Sequence, residues 1–230
     1  MVKGRIASIA EMVIKGETAA DIGTDHAGLA MYMLDAGIAP KMIISDLPSG
    51  PFNRACLAVK NSPYSDRIEV RQGNGLQILR TGEVFNVIIA GMGGDTIAEI
   101  INFDLNKAKS FRHYVFQPMS KPQVLRSLLS KLGWPILDEV LVKEKKHYFV
   151  IISASPDNKP YSLSPLEVDI GPIILKHSSQ PLVKEYLQVH IRKYRKLIAG
   201  LELADSPTDS ILKSQIKNKI IRLGAIIHEN

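Results

Sequence analysis

The chain has 230 residues, 45% of them hydrophobic and 23% charged, with a formal net charge of +6, which is enough sequence to bury a sizeable core. No stretch approaches the roughly 20 continuous apolar residues of a membrane span, and an amino-terminal pattern interrupted by Glu11 and Lys15 does not read as a signal peptide. The single cysteine, Cys56, excludes an internal disulfide and reads as a buried apolar residue on a helix, so the expected compartment is the cytoplasm.

Residues 5–15 carry helical spacing (Ile6, Ile9, Ala10, Val13) and stop at Gly16. Strands are predicted at 18–22, 42–45, 68–71, 87–90 and 114–117, with helices at 29–36, 52–60, 96–101 and 123–132 between them. This alternation predicts a parallel sheet with helices on both faces. After Gly133 the pattern changes to two strands, 136–142 and 148–154, joined by the charged turn Lys143-Glu144-Lys145-Lys146-His147. An antiparallel hairpin closing a parallel sheet distinguishes a seven-stranded, Rossmann-like class I methyltransferase fold from an ordinary dinucleotide fold. The fold class is therefore α/β.

A turn-rich linker, Ser155-Pro156-Asp157-Asn158-Lys159-Pro160, separates a predicted first domain, 1–155, from a second, 156–230. In the second, Leu182, Tyr186, Val189, Tyr194, Leu197 and Leu201 form one apolar stripe, and Leu212, Ile216, Ile220, Leu223 and Ile227 form another. Ser206-Pro207-Thr208-Asp209 supplies a turn and a helix cap. The prediction is a short coiled-coil-like helical hairpin, with the Tyr194–Leu197 stripe packed on its partner helix. From Lys176 onward ten Lys/Arg stand against five acids, so +5 of the net +6 belongs to this segment. Such asymmetry points to a polyanion, with Arg192, Lys193, Arg195 and Lys196 as the densest basic group.

Ala20-Asp21-Ile22-Gly23-Thr24-Asp25-His26-Ala27 lies between the first strand and the following helix, where a doubly wound sheet opens its first ligand crevice. Only Gly23 of a G-x-G-x-x-G fingerprint is present, and Asp21 and Asp25 would repel a pyrophosphate. A cationic ligand fits better, and S-adenosylmethionine, carrying sulfonium and ammonium groups, is the candidate. Asp46, at the end of the second strand, can take both hydroxyls of a ribose. Gly73-Asn74-Gly75 leaves room for a flat ring, with the Asn74 amide suited to an adenine edge, although Asn-Gly is also a plain turn dipeptide. Ala90-Gly91-Met92-Gly93-Gly94 brings backbone close to a methyl group, and no lysine follows to make it a phosphate loop. Gln117-Pro118-Met119, read as the end of the fifth strand, would face the acceptor. No metal-ligand cluster is read.

Taken together, Asp21-Ile-Gly-Thr-Asp-His26, Gly50-Pro51, Ile89-Ala-Gly-Met-Gly-Gly94, Gln117-Pro118, Ile170-Gly171-Pro172 and the helical hairpin resemble the bacterial tRNA (adenine-22-N1)-methyltransferase family over nearly the whole chain. The resemblance implies S-adenosylmethionine as methyl donor, a D-arm adenine of tRNA as acceptor and a tRNA-binding carboxyl-terminal domain. The cofactor residues are then Asp21, Gly23, Asp25, His26, Asp46, Asn74, Gly75, Ala90, Gly91 and Gly93. Asp25, His26, Met92 and Tyr148 stand nearest the chemistry, and Gln117 with the four basic residues at 192–196 is on the substrate side. Departures fall on the acceptor half: Gly28 and Ala30 where the family has tyrosine and proline, Met119 where it has asparagine, and His147-Tyr148 where it has an aromatic-tyrosine pair. His26 alternatively caps the following helix, and Tyr148 alternatively packs in the core. A monomer is the favoured expectation. Rival functions are methylation of another RNA, a protein or a small molecule, and RNA binding without catalysis.

Overall fold

The computed structural model describes residues 4–24, 26–157, 159–202 and 207–229. These form two compact units, 1–163 and 164–230. In unit 1 the elements alternate as α1 (Arg5–Glu11), β1 (Ala19–Ile22), α2 (Gly28–Asp35), β2 (Met42–Asp46), α3 (Ser49–Lys60), β3 (Ile68–Gln72), β4 (Asn86–Gly93), α4 (Gly94–Phe103), α5 (Leu105–Ala108), β5 (His113–Ser120), α6 (Pro122–Leu132), β6 (Ile136–Glu144) and β7 (His147–Ala154). A one-turn 3₁₀ helix, Gly75–Ile78, follows β3. The sheet has seven strands in the order β3-β2-β1-β4-β5-β7-β6. All neighbours are parallel except β7, which runs antiparallel to both β5 and β6.

The order reverses beside β1: the chain winds from β1 to β2 to β3 in one direction and returns to β4 on the other side of β1. That reversal leaves a crevice at the carboxyl ends of β1 and β4, where no crossover fills the space. Strand alternation then decides which side chains face which layer. Ile44, Ile88, Val115 and Ile151 bury themselves with Ile9, Ala10, Met33 and Val59 of α1, α2 and α3. The other parity of β5 carries Tyr114 and Phe116, whose rings stack at 5.3 Å, with Trp134 5.0 Å from Tyr114. Both helical layers are thus anchored by apolar burial of the kind that dominates folding stability.

Lys159 and Tyr161, assigned by sequence to the second domain, are bonded to unit 1. Lys159 N–H donates to the Gly133 carbonyl, Tyr161 N–H to that of Ser130, and the Tyr161 hydroxyl to that of Trp134 at 3.0 Å. The linker composition marked a turn, but these backbone acceptors are invisible in sequence.

Unit 2 contains α7 (Pro165–Ile170), α8 (Pro172–Lys176), α9 (Pro181–Glu202) and α10 (Pro207–Glu229). α7 opens with a capping box, Ser164 taking the N–H of Glu167 while the Glu167 carboxylate takes that of Ser164. Gly171, at φ 118°, then turns the chain directly into α8. α9 and α10 pack on one another, with Tyr186, Leu187, Tyr194, Ile216 and Leu223 buried. The expected stripe runs out toward one end: Leu197 and Leu212 are 54% and 44% exposed. The period identifies the inward face but not how far along it the partner helix extends. Ser206 and the cap expected at 206–209 lie outside the described residues and side chains. Cys56, expected buried, is half-exposed, because it lies toward the flank of α3.

Candidate active site

Asp21 is the third residue of β1 and stands in register with Ile44 of β2 and Ile88 of β4. That position leaves the residue 4% exposed. Burial pushes its carboxyl up to about 6, opposed by a hydrogen bond from the Thr24 side chain and reinforced by the charge of Asp46. Asp46 is two residues beyond Ile44, so alternation points it to the same face as Asp21. Beyond β1 the chain turns at Gly23, with φ +83°, a conformation costly for any residue with a Cβ. The N–H groups of Gly23 and Thr24 both donate to the Ser45 carbonyl at 2.8 Å. These bonds tie the first turn to the strand that ends in Asp46. Asp25 lies outside the described residues. His26 is exposed, and the N-cap position of α2 falls on the next residue, Ala27, in the left-handed region.

The second and third strand ends meet beside it. Asp46 is half-buried and its carboxylate accepts the N–H of Leu47 at 2.7 Å, which sets its orientation. The Gly73 N–H donates to the Asp46 carbonyl. Asn74 is exposed and lines, with Gly75, Gln77, Thr96, Ile100 and Phe103, a cavity of about 220 Å³. Gly75 lies against Ile100 of α4 closely enough that a Cβ would sit 2.9 Å from its Cγ2. The glycine therefore serves close packing of this turn on α4, whatever the Asn74 amide meets.

The glycine run after β4 is not a loop. β4 continues through Met92 and Gly93, in register with Pro118 and Ser120 of β5, past an irregularity between Ala90 and Met92. Gly91 sits at that irregularity with φ +80° and open space where a Cβ would be. Met92 reaches back over the first turn: a Cβ on Gly23 would lie 2.1 Å from the Met92 methyl. Gly94 packs against the α6 entrance so tightly that a Cβ would meet the Lys121 carbonyl oxygen at 2.2 Å. Gln117, expected at a strand end, is instead inside β5, paired with Ala90 and 1% exposed. Propensity stops the strand at Pro118, but the β4 partner carries it on.

Alternation places Gln117 and Met119 on the face of Val115, and Phe149 on that of Ile151. Arg5, which the sequence reading left without a role, joins them. Its guanidinium is 3.4 Å from Gln117 Oε1 and 3.4 Å from Met119 Sδ, and 4.8 Å from the Phe149 ring centroid. Tyr148 has the other parity; it is half-buried, with the Lys143 ammonium 5.5 Å from its ring centroid. The structure therefore brings together Asp21, Gly23, Asp46, Gly91 and Met92, adds Arg5 beside Gln117, and puts Tyr148 on the opposite side of the hairpin. Among the described residues no group of three or more His, Cys, Asp or Glu side chains is arranged to hold a metal, and no helix is long and apolar enough to cross a membrane.

In unit 2, Arg192, Lys193, Arg195 and Lys196 are all exposed while Tyr194 among them is buried. The Tyr194 hydroxyl hydrogen-bonds Asp169 of α7, and Lys219 of α10 reaches the same carboxylate at 2.6 Å. Burial and this carboxylate push the phenol well above its ordinary range, so it stays a neutral donor. The shared acceptor fixes α7, α9 and α10 as one body, with the basic side of α9 turned outward.

A sheet of order 3-2-1-4-5-7-6 with an acidic, glycine-turned crevice at its switch point defines a Rossmann-like methyltransferase. Residues 2–152 match the family described as "Methyltransferase domain", and the chain belongs to that family. Among curated proteins it is similar to the tRNA (adenine(22)-N(1))-methyltransferase of Bacillus subtilis, 29% identical over 188 residues that cover 80% of this chain and 79% of the relative. Among solved structures it is similar to the B. subtilis m1A22 tRNA methyltransferase TrmK, with TM-score 0.86 and 26% identity over 99% of this chain and 100% of that one. It is likewise similar to a Streptococcus pneumoniae protein in complex with S-adenosyl-L-methionine, with TM-score 0.80 and 26% identity over 99% and 100%.

Proposed function

We propose that the chain transfers a methyl group from S-adenosyl-L-methionine to N1 of an adenine in the D arm of tRNA, at position 22, in the cytoplasm. The observation that carries the reading is the reach of the similarity: it extends past the methyltransferase domain through unit 2, to 99% of this chain, in a structure named for that activity.

The crevice fits the donor. It offers the buried Asp21 carboxyl to a ligand with sulfonium and ammonium charges, the half-buried Asp46 at the strand end suited to ribose hydroxyls, and open space above Gly91. When bound, S-adenosyl-L-methionine supplies an electrophilic methyl group. Asp46 would hold the ribose, Gly23 and Gly91 would admit the ligand to the backbone, and Asn74-Gly75 would flank the adenine end. Asp21, buried and near neutrality, would gain its charge against a cation. Adenine N1 carries its lone pair once the base is unpaired, so this chain needs no strong base before attack. Its task is to unpair, orient and desolvate the acceptor. The proton lost afterwards leaves from the exocyclic amine. Met92 and His26 would line the approach, with Gln117 buried behind it in β5, and the exposed cations of α9 would hold the tRNA backbone.

The test is incubation of the full chain with labelled S-adenosyl-L-methionine and an unmodified tRNA transcript bearing A22, followed by mapping of the product. N1-methyladenosine at that position is expected. Cofactor binding without incorporation into RNA would move the reading to a protein or small-molecule methyltransferase, and no cofactor binding would leave a non-catalytic RNA-binding protein.

A further inference from the structure

Arg5 opens α1, the wrong end of a helix for a cation, since the first turn carries the positive pole of the peptide dipoles. Its backbone N–H donates to Glu144 Oε1 at 2.7 Å, which pins the start of α1 to the tip of the β6–β7 hairpin. The side chain is half-buried. Among the described residues no carboxylate forms an ion pair with it. Its neighbours are an amide oxygen and a thioether sulfur, each at 3.4 Å, and the face of Phe149. Both polar contacts are at the long limit of hydrogen bonding, and a guanidinium carries five N–H donors. The group is therefore positioned by a ring, an amide and a sulfur, with no ion pair to its charge among the described residues.

Its place gives this meaning. Gln117 stands in register with Ala90, the last residue before the open Gly91, so Arg5 lies one strand away from the crevice, on the side where an acceptor must enter. Arginine is the side chain suited to planar, two-pronged recognition of phosphate. Taking the tRNA methyltransferase reading as given, we propose that Arg5 holds a phosphate of the acceptor nucleotide beside Gln117 and so positions its base over Gly91. The contact separates two kinds of cation in this protein. Those on α9 hold the body of the RNA, whereas Arg5 registers the one nucleotide to be modified.

The experiment compares the full chain with its Arg5→Ala, Arg5→Gln and Arg5→Lys variants in steady-state methylation of the tRNA transcript over a range of salt. S-adenosyl-L-methionine affinity is titrated in parallel. For Arg5→Ala the KM for tRNA should rise roughly tenfold or more, as expected for a lost charge-assisted hydrogen bond. The log–log salt slope of tRNA binding should fall by about 0.7–0.9, one phosphate contact, while cofactor affinity stays unchanged. Arg5→Gln, which keeps an amide but no charge, should behave like Ala, and Arg5→Lys should restore the slope and only part of the KM. A wild-type KM and slope in Arg5→Ala would overturn the proposal. So would full rescue by Gln, or a parallel loss of cofactor binding, both of which assign Arg5 to packing. A wild-type chain that binds the cofactor but leaves the tRNA unmethylated would overturn the enzyme reading on which the proposal rests.

Discussion

In unit 1 two arginines are matched. Arg71 reaches Glu83 at 2.7 Å and Glu69 at 2.8 Å, and Arg126 meets Glu139 at 2.7 Å with both side chains fully buried. In unit 2, Arg192, Lys193, Arg195 and Lys196 stand exposed on one stretch of α9, with no carboxylate in ion-pair reach among the described residues. The crevice of unit 1 instead carries acids: Asp21, buried, and Asp46, half-buried. Acids in a crevice suit a small cationic ligand, and an exposed basic stretch suits an extended polyanion. On the function proposed above, the methyl donor would go to unit 1 and the body of the RNA to unit 2.

Removing unit 2 is the harshest way to break that comparison. A chain ending at Leu163, after the residues stapled to unit 1 by Lys159 and Tyr161, should bind S-adenosyl-L-methionine with unchanged affinity by calorimetry and methylate no tRNA. A chain ending at 155 should also lose stability, because Tyr161 is then absent.

Gly94→Ala comes next. The new Cβ would press on the backbone carbonyl of Lys121, which cannot swing aside as a side chain would. Thermal or urea unfolding should show a loss of roughly 1–3 kcal/mol or more, typical of overpacking.

Asp21→Asn sharpens the claim about the buried acid. In the unfolded chain Asp21 titrates near its ordinary 3.8, and in the native chain near 6. Between these values the folded state holds more protons, so stability falls as pH rises from about 4 to 6 and the penalty persists above. A shift of this size corresponds to about 3 kcal/mol. Asparagine should therefore stabilise the ligand-free chain at pH 8 by roughly 1–3 kcal/mol and flatten that pH slope, while weakening cofactor binding. Cofactor affinity of the natural chain should increase as pH rises through 6, because a cation favours the ionised acid.

All seven strands and the five long helices of unit 1 were legible in sequence, because each buries an apolar pattern between turn residues. The crevice was legible through Gly23, Asp21 and Asp46 for the same reason: a sharp turn and an acid at a strand end are local signals. What escaped was pairwise. The continuation of β4 through Gly93 depends on β5 lying beside it, and the seat of Arg5 depends on Gln117 and Phe149, more than a hundred residues away. The exposure of Leu197 reflects how far α10 overlaps α9, which periodicity does not encode. The Ser164–Glu167 capping box was a readable signal that was passed over.

The most direct measurement sets two full-length variants against each other, with both ligands titrated on each. Asp46→Ala should lose roughly 1.5–3 kcal/mol of S-adenosyl-L-methionine binding, the scale of a hydrogen bond to a charged group, and keep its affinity for tRNA. Neutralising Arg192, Lys193, Arg195 and Lys196 together should do the reverse. It should lower the salt slope of tRNA binding by two or three contacts at about 0.7–0.9 each, and leave cofactor affinity untouched. Wild-type tRNA binding and salt dependence in the quadruple variant, or an undiminished cofactor affinity in Asp46→Ala, would contradict the division of donor and acceptor between the two units.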